Sequence, residues 1–350
     1  MSTSPRRDPD EGWREPSEDA APLLGTTLSA ARRVAREAVG RHASLPYVGY
    51  VSKGVFRFSF DRLGEEFDGR VALQQLGRRV AQFAEELDGQ LQEPDTGPLI
   101  RTVVHTERGE VVCNFVIPRE YVVVVAETAP AAVAGPLTDD DAVAAVDEEL
   151  AKLTTDLRTL ISLPSLNHGG WETAHATRPL SSVNHVEDPC VAEFAPVPED
   201  VRAGLAATVR PKDVHYLAYH ADGEVVAEAD HLGHASLDRF YTKVEVEDRR
   251  AFYREFGWQL ESIVRKFNRM LSGAAAGGLV TRLVLDVERG AVYYYQLDPG
   301  EYLVGVTLDQ SRVRDADERI ARLAHRLARG RGVSPGPVTP RAPRPGGPAR

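Results

Sequence analysis

The chain contains one stretch twice. Residues 99–126 read LIRTVVHTERGEVVCNFVIPREYVVVVA, and residues 280–307 read VTRLVLDVERGAVYYYQLDPGEYLVGVT. The two align without a gap at an offset of 181 residues (288 − 107), with eleven identities in 28 positions, among them Glu107/Glu288, Arg108/Arg289, Gly109/Gly290, Pro118/Pro299 and Tyr121/Tyr302. A repeat at fixed offset marks a structural unit that is used twice, which constrains the fold more than any other feature of the sequence.

Each copy reads as three antiparallel strands rich in β-branched and aromatic residues. Glu107-Arg108-Gly109 and Glu288-Arg289-Gly290 are short polar links whose glycine is expected at positive φ. Pro118-Arg119-Glu120 and Pro299-Gly300-Glu301 make the second turn, because proline cannot donate to a central ladder. Around these strands the order of elements repeats as well. Helical spacing over 27–43, a hairpin over 47–60, a helix over 71–87 and a helix over 138–161 frame the first copy. Helical spacing over 198–209, a hairpin over 214–229 turning at Asp222-Gly223, a helix over 245–271 and a helix over 315–328 frame the second. Only the second copy has an excursion, 230–244.

Bulk properties exclude several classes. A formal net charge of −10 argues against a general nucleic-acid binder, since phosphate affinity rests on clustered Lys and Arg. No run of 18 apolar residues predicts a membrane span, and the polar first residues lack the apolar segment of a secretory signal. Cys113 and Cys190 do not make a disulfide framework, and a cytoplasmic location is expected.

This order of strand, Glu-Arg-Gly hairpin, strand, turn, strand and helix resembles the Roadblock/dynein light-chain family, whose domains are profilin-like sandwiches. The resemblance spans residues 26–161 and 198–328. It implies an α+β fold of two tandem three-layer α/β/α Roadblock-like domains, each a five-stranded antiparallel sheet with helices on both faces. The expected division is a disordered N-terminus 1–25, domain 1 over 26–162, a linker 163–197, domain 2 over 198–329 and a disordered Pro/Arg tail 330–350. The resemblance further implies a dimerising platform, in bacteria often a regulator of small Ras-like GTPases. The two copies would pair inside the chain or in a homodimer, through the long helices and the neighbouring third strands.

No phosphate-cradling loop, dinucleotide fingerprint, nucleophile elbow or helical zinc motif occurs, so a non-enzymatic adaptor without cofactor is expected. Arg250, Arg254, Arg265, Lys266 and Arg269 form a basic helix edge suited to an acidic protein partner. Arg108 and Arg289 stand at hairpin tips, where an arginine can act on a GTPase in trans. His231 and His234 beside Asp230 have zinc-ligand spacing but no evident fourth ligand, so a surface loop without metal is expected. Tyr293, Tyr294 and Tyr295 alternate between faces of a strand, which favours core packing over base stacking. The alternative to the adaptor is a secretion-chaperone-like protein that holds an extended client segment.

Overall fold

The computed structural model of the chain describes residues 15–22, 24, 28–42, 45–64, 66–127, 140–172, 188–274 and 276–330. The first copy runs β1 (Ser17–Ala20), α1 (Ser29–Arg41), β2 (Tyr47–Ser52), β3 (Val55–Asp61), α2 (Arg70–Leu91), β4 (Leu99–Thr106), β5 (Gly109–Ile117), β6 (Glu120–Glu127) and α3 (Asp140–Thr159). The second runs β7 (Cys190–Glu193), α4 (Glu199–Thr208), β8 (Tyr216–Ala221), β9 (Glu224–Asp230), α5 (Val246–Leu271), β10 (Val280–Val287), β11 (Gly290–Asp298), β12 (Glu301–Thr307) and α6 (Val313–Gly330). Apolar spacing places the helices: α2 buries Leu73, Leu76, Val80, Phe83 and Leu87, and α5 buries Tyr253, Phe256, Leu260, Ile263 and Phe267.

The expected pair of separate five-stranded sheets does not form. All the strands among the described residues join one 12-stranded sheet of order β1-β3-β2-β6-β5-β4-β10-β11-β12-β8-β9-β7, in which equivalent elements of the two copies follow in the same order from either end. The join is the antiparallel pairing of β4 with β10, where Val103 sits opposite Val284, its own equivalent at the 181-residue offset. Thr102 faces Leu285 and Val104 faces Leu283, so the partners exchange under the same offset. A pseudo-two-fold axis therefore passes between Val103 and Val284, the mark of isologous pairing. The flanking loops obey it too: Glu107 N donates to Leu279 O (3.1 Å), and Glu288 N donates to Pro98 O (2.9 Å). The physical reason is the edge. A long valine-rich strand left unpaired exposes a row of backbone donors and acceptors, and joining the copies closes both edges at once.

Both faces of the sheet are covered, so its central strands are apolar almost continuously. Val104, Val111, Val123, Leu283 and Tyr294 pack under α2 and α5. Val103, Val112, Val124, Tyr293 and Tyr295 pack on the opposite side with residues of α1, α3, α4 and α6. The three consecutive tyrosines are thus core residues divided between two faces.

Other departures are local. Residues up to 25 are expected from composition to lack structure, yet Ser17–Ala20 pairs with β3, and Glu18 is held by Arg32 and Arg36 of α1. Within the expected linker, Cys190–Glu193 pairs with β9, so each outer edge of the sheet carries a short added strand. Residues 1–14, 173–187 and 331–350 lie outside the described residues, and with them His175, His185 and the arginine-bearing tail. The excursion holds a 3-10 helix, Ala235–Phe240. Gly290 has φ 129 as expected, whereas Gly109 is not at positive φ. Gly109 is needed for a different reason: a Cβ there would lie 2.6 Å from the Ala276 side chain of the other copy.

Candidate functional site

The polar groups closest to the axis are buried and pair largely with one another, although Thr102 Oγ1 and Asp286 Oδ1 have no partner among the described residues. On β4, Arg101 is 3% exposed; its Nε donates to Asp147 Oδ1 of α3 (2.9 Å) and its Nη1 to Asp286 Oδ2 of β10 (2.7 Å). Arg282, the equivalent on β10, pairs with Asp317 of α6, and its Nη1 lies 2.9 Å from His105 Nε2 of β4. Burial pushes the Asp147 and Asp286 carboxyls above the usual range, and Arg101 opposes that shift. Residues 167–171 close over this cluster: Gly169 N donates to Asp286 Oδ2 (2.9 Å), and Trp171 stacks under the Arg314 guanidinium at 4.6 Å. His168 Nε2 donates to Phe115 O (3.0 Å), and burial lowers its pKa to about 3. The cluster fixes the pairing of the copies and offers solvent nothing to bind.

The tip arginines also serve the join. Arg108 Nε donates to Gly277 O of the second copy (3.0 Å), and Arg289 Nη1 donates to Asp95 Oδ2 of the first (2.9 Å). Each reaches the loop ahead of the opposite copy's seam strand. Arg289 also lines an open cleft of about 540 Å³ with Ser165, Phe240, Thr242, Leu308 and Asp309.

The outward side of α2 and α5 is different in kind. The helices meet where Phe83 packs edge-on to Phe267, ring centroids 5.0 Å apart, and Lys266 Nζ lies 2.6 Å from Glu86 Oε2. The basic edge expected on α5 is divided. Arg250 donates to both oxygens of Asp230 (2.7 and 3.0 Å) and Arg254 pairs with Glu228, two acids that are buried on β9. These two arginines serve the fold. Arg265 keeps only a 3.9 Å contact with Glu261, and Arg269 is exposed, so Arg265, Lys266 and Arg269 are the part of that edge left facing solvent.

Earlier on the same helix stands Trp258, 59% exposed, which lines a recess of about 260 Å³ with Gly223, Val225, Ala251, Arg254 and Glu255. Phe194, 50% exposed, lies under the Arg254 guanidinium at 4.9 Å. An exposed tryptophan beside a fixed arginine and a second aromatic ring has the composition of an interface anchor. Sequence reasoning passed over both rings. Trp258 breaks the polar side of the α5 pattern, the one signal that marked it, and Phe194 lay in the presumed linker.

Among the described residues no group of three or more His, Cys, Asp and Glu side chains is placed to hold a metal ion, so His231 and His234 are not part of such a cluster. His234 Nδ1 is 2.8 Å from Ser236 Oγ at the start of the 3-10 helix, and His231 N donates to His215 O (2.9 Å). Both rings are mostly buried, so the expected surface loop is packed against the fold. Among the described residues no helix is long and apolar enough to cross a membrane.

Fold and face together define a fused pseudo-dimer, two like units sharing one sheet and presenting paired helices outward. No protein-family model and no curated protein matches the sequence. Among solved structures the chain is similar to MglB in a tetrameric arrangement, at 17% identity over 39% of this chain and 92% of that one, with a TM-score of 0.29. It is also similar to the gliding protein MglB from Thermus thermophilus, at 18% identity over 39% of this chain and 93% of that one, with a TM-score of 0.30. Likeness at this level carries no conclusion about activity or partner.

Proposed function

We propose that the chain is a non-enzymatic regulatory adaptor that binds a small Ras-like GTPase or another signalling protein on the outward side of α2 and α5. The observation that carries this reading is Trp258, 59% exposed on a rigid helix beside a recess. A large amphipathic ring left in solvent on an element that is otherwise well packed is a typical hot-spot residue. Arg265, Lys266 and Arg269 add a cationic margin that steers an acidic surface toward the same helix. Arg108 and Arg289, engaged with the opposite copy, have a positioning role at the join in this reading.

Capture from a lysate of the native host, followed by identification of the retained proteins, tests the proposal. Wild-type chain retains a GTPase or another signalling protein, and Trp258→Ala reduces retention at least about tenfold, the usual effect of removing a central aromatic anchor. Equal retention by both chains, or none by either, contradicts it.

A further inference from the structure

The same helices and the hairpin turns beside them carry charge in four stripes of alternating net sign. Outermost on the first copy are Lys53, Arg78 and Arg79, exposed and without an ion pair among the described residues. Glu85 and Glu86 follow toward the axis, then Arg265, Lys266 and Arg269 on the far side of it. Outermost on the second copy are Asp222, Glu224 and Glu255, again exposed and without an ion pair among the described residues. Arg78 Nε donates to Gly54 O (3.1 Å), and Glu224 and Glu255 line one recess, so on both copies the hairpin turn adjoins the helix. Among the described residues the inner charges meet counter-charges in exposed pairs, Glu86 with Lys266 (2.6 Å), Glu85 with Arg119 (3.2 Å) and Arg265 with Glu261 (3.9 Å), which hold side chains loosely and leave the net sign of each stripe unchanged.

We infer that this face is an interface between two copies of the chain. The stripes run positive, negative, positive, negative. Turned about a two-fold axis lying in its own plane and parallel to the stripes, the face opposes every stripe to one of opposite sign, which is the condition for isologous pairing. A two-fold axis running across the stripes would instead set like charges together. The rotation also brings Trp258 of one chain to the Arg78 side of the other, where a guanidinium can sit on an indole face. Val55 and Val71, 48% and 60% exposed, supply apolar contact on that side. Self-association would cover the helices assigned above to a partner; only this regulatory consequence rests on that reading.

Sedimentation equilibrium of the purified full-length chain tests the inference. At low salt the particle contains two chains, and at about 0.5 M salt, where exposed charges are screened, it contains one. Arg78→Glu alone and Glu255→Arg alone each weaken association at least about tenfold, because each places two like-charge contacts in a symmetric interface. The combined Arg78→Glu, Glu255→Arg chain regains it. Trp258→Ala, which leaves the stripes intact, weakens association as well. A single-chain particle at low salt, a combined variant as weak as the single ones, or no effect of Trp258→Ala overturns the inference. Both charged residues are exposed, so unchanged melting of the variants shows that the fold is retained. Partner capture with chain diluted to the single-chain particle is a separate measurement, so failure of one proposal is distinguishable from failure of the other.

Discussion

Lys266 Nζ lies 2.6 Å from Glu86 Oε2, and the two residues hold equivalent places on the paired helices, whose buried positions match at an offset of 180, as Gly77 with Gly257 and Leu87 with Phe267. Identical copies would set like charges together at this point of the axis, so the two halves have become complementary there. The pair is about half exposed, which limits its worth to about 0.2–1 kcal/mol. Glu86→Lys and Lys266→Glu each lower the urea midpoint slightly, and the double exchange restores it. Singles that behave like wild type and a double that does not recover would show that the residues do not meet.

Arg101 is a harder test of the same join, because it alone hydrogen-bonds both buried acids, Asp147 and Asp286, among the described residues. Replacing it by Met leaves Asp147 and Asp286 buried without their common partner. A loss of about 3–5 kcal/mol is expected in denaturant unfolding, the usual cost of breaking a buried charge cluster from one side. A loss below about 1 kcal/mol would mean that solvent reaches the cluster.

The two hairpin glycines fail for different reasons. At Gly290, φ is 129 and a Cβ would lie 2.0 Å from Thr307 O; at Gly109, a Cβ would lie 2.5 Å from Ala126 O and 2.6 Å from the Ala276 side chain. Gly109→Val and Gly290→Val each destabilise by at least about 1 kcal/mol. Arg119, the equivalent of Gly300, has φ 66 against 83, so Arg119→Gly relieves strain and is neutral or stabilising by up to about 1 kcal/mol. Thermal melting of the three variants checks all of this.

Burial lowers the pKa of His215 and of His220 from 6.5 to about 4. A histidine whose folded pKa is depressed stabilises the fold above its unfolded value and stops doing so as the pH falls, since the unfolded chain binds the proton first. Stability from these residues is therefore lost between pH 6.5 and about 4. The buried Asp147 and Asp286, shifted upward, act in the opposite sense over the carboxyl range. His220 isolates the effect: its ring stacks on Tyr302 at 4.8 Å and neither ring nitrogen has a partner among the described residues. His220→Phe preserves the stack and makes the decline of melting temperature with acid shallower; an unchanged slope would contradict neutral burial.

Some of this was legible in the sequence because it is written locally. Leu73, Leu76, Val80 and Phe83 announce α2 by their spacing, and Asp222-Gly223 announces its hairpin, where both residues do take positive φ. The join of β4 to β10 was not legible as one sheet, because a strand's residues are compatible with many partners and only the geometry of its edge chooses among them. β1 is too short and too polar to show a period, and β7 has four residues in a stretch without pattern. That Arg250 and Arg254 turn inward was hidden for a related reason. Their acids, Asp230 and Glu228, lie on β9, and nothing in one sequence says that β9 runs beneath that part of α5.

The most direct test of the central claim, one sheet continuous through Val103 and Val284, is amide hydrogen exchange resolved by residue. In a continuous sheet, amides of β4 and β10 exchange as slowly as those of β5 and β11, while the outermost strands β1 and β7 exchange much faster. Exchange of β4 and β10 at the rate of the outer strands would show that the copies are not joined there.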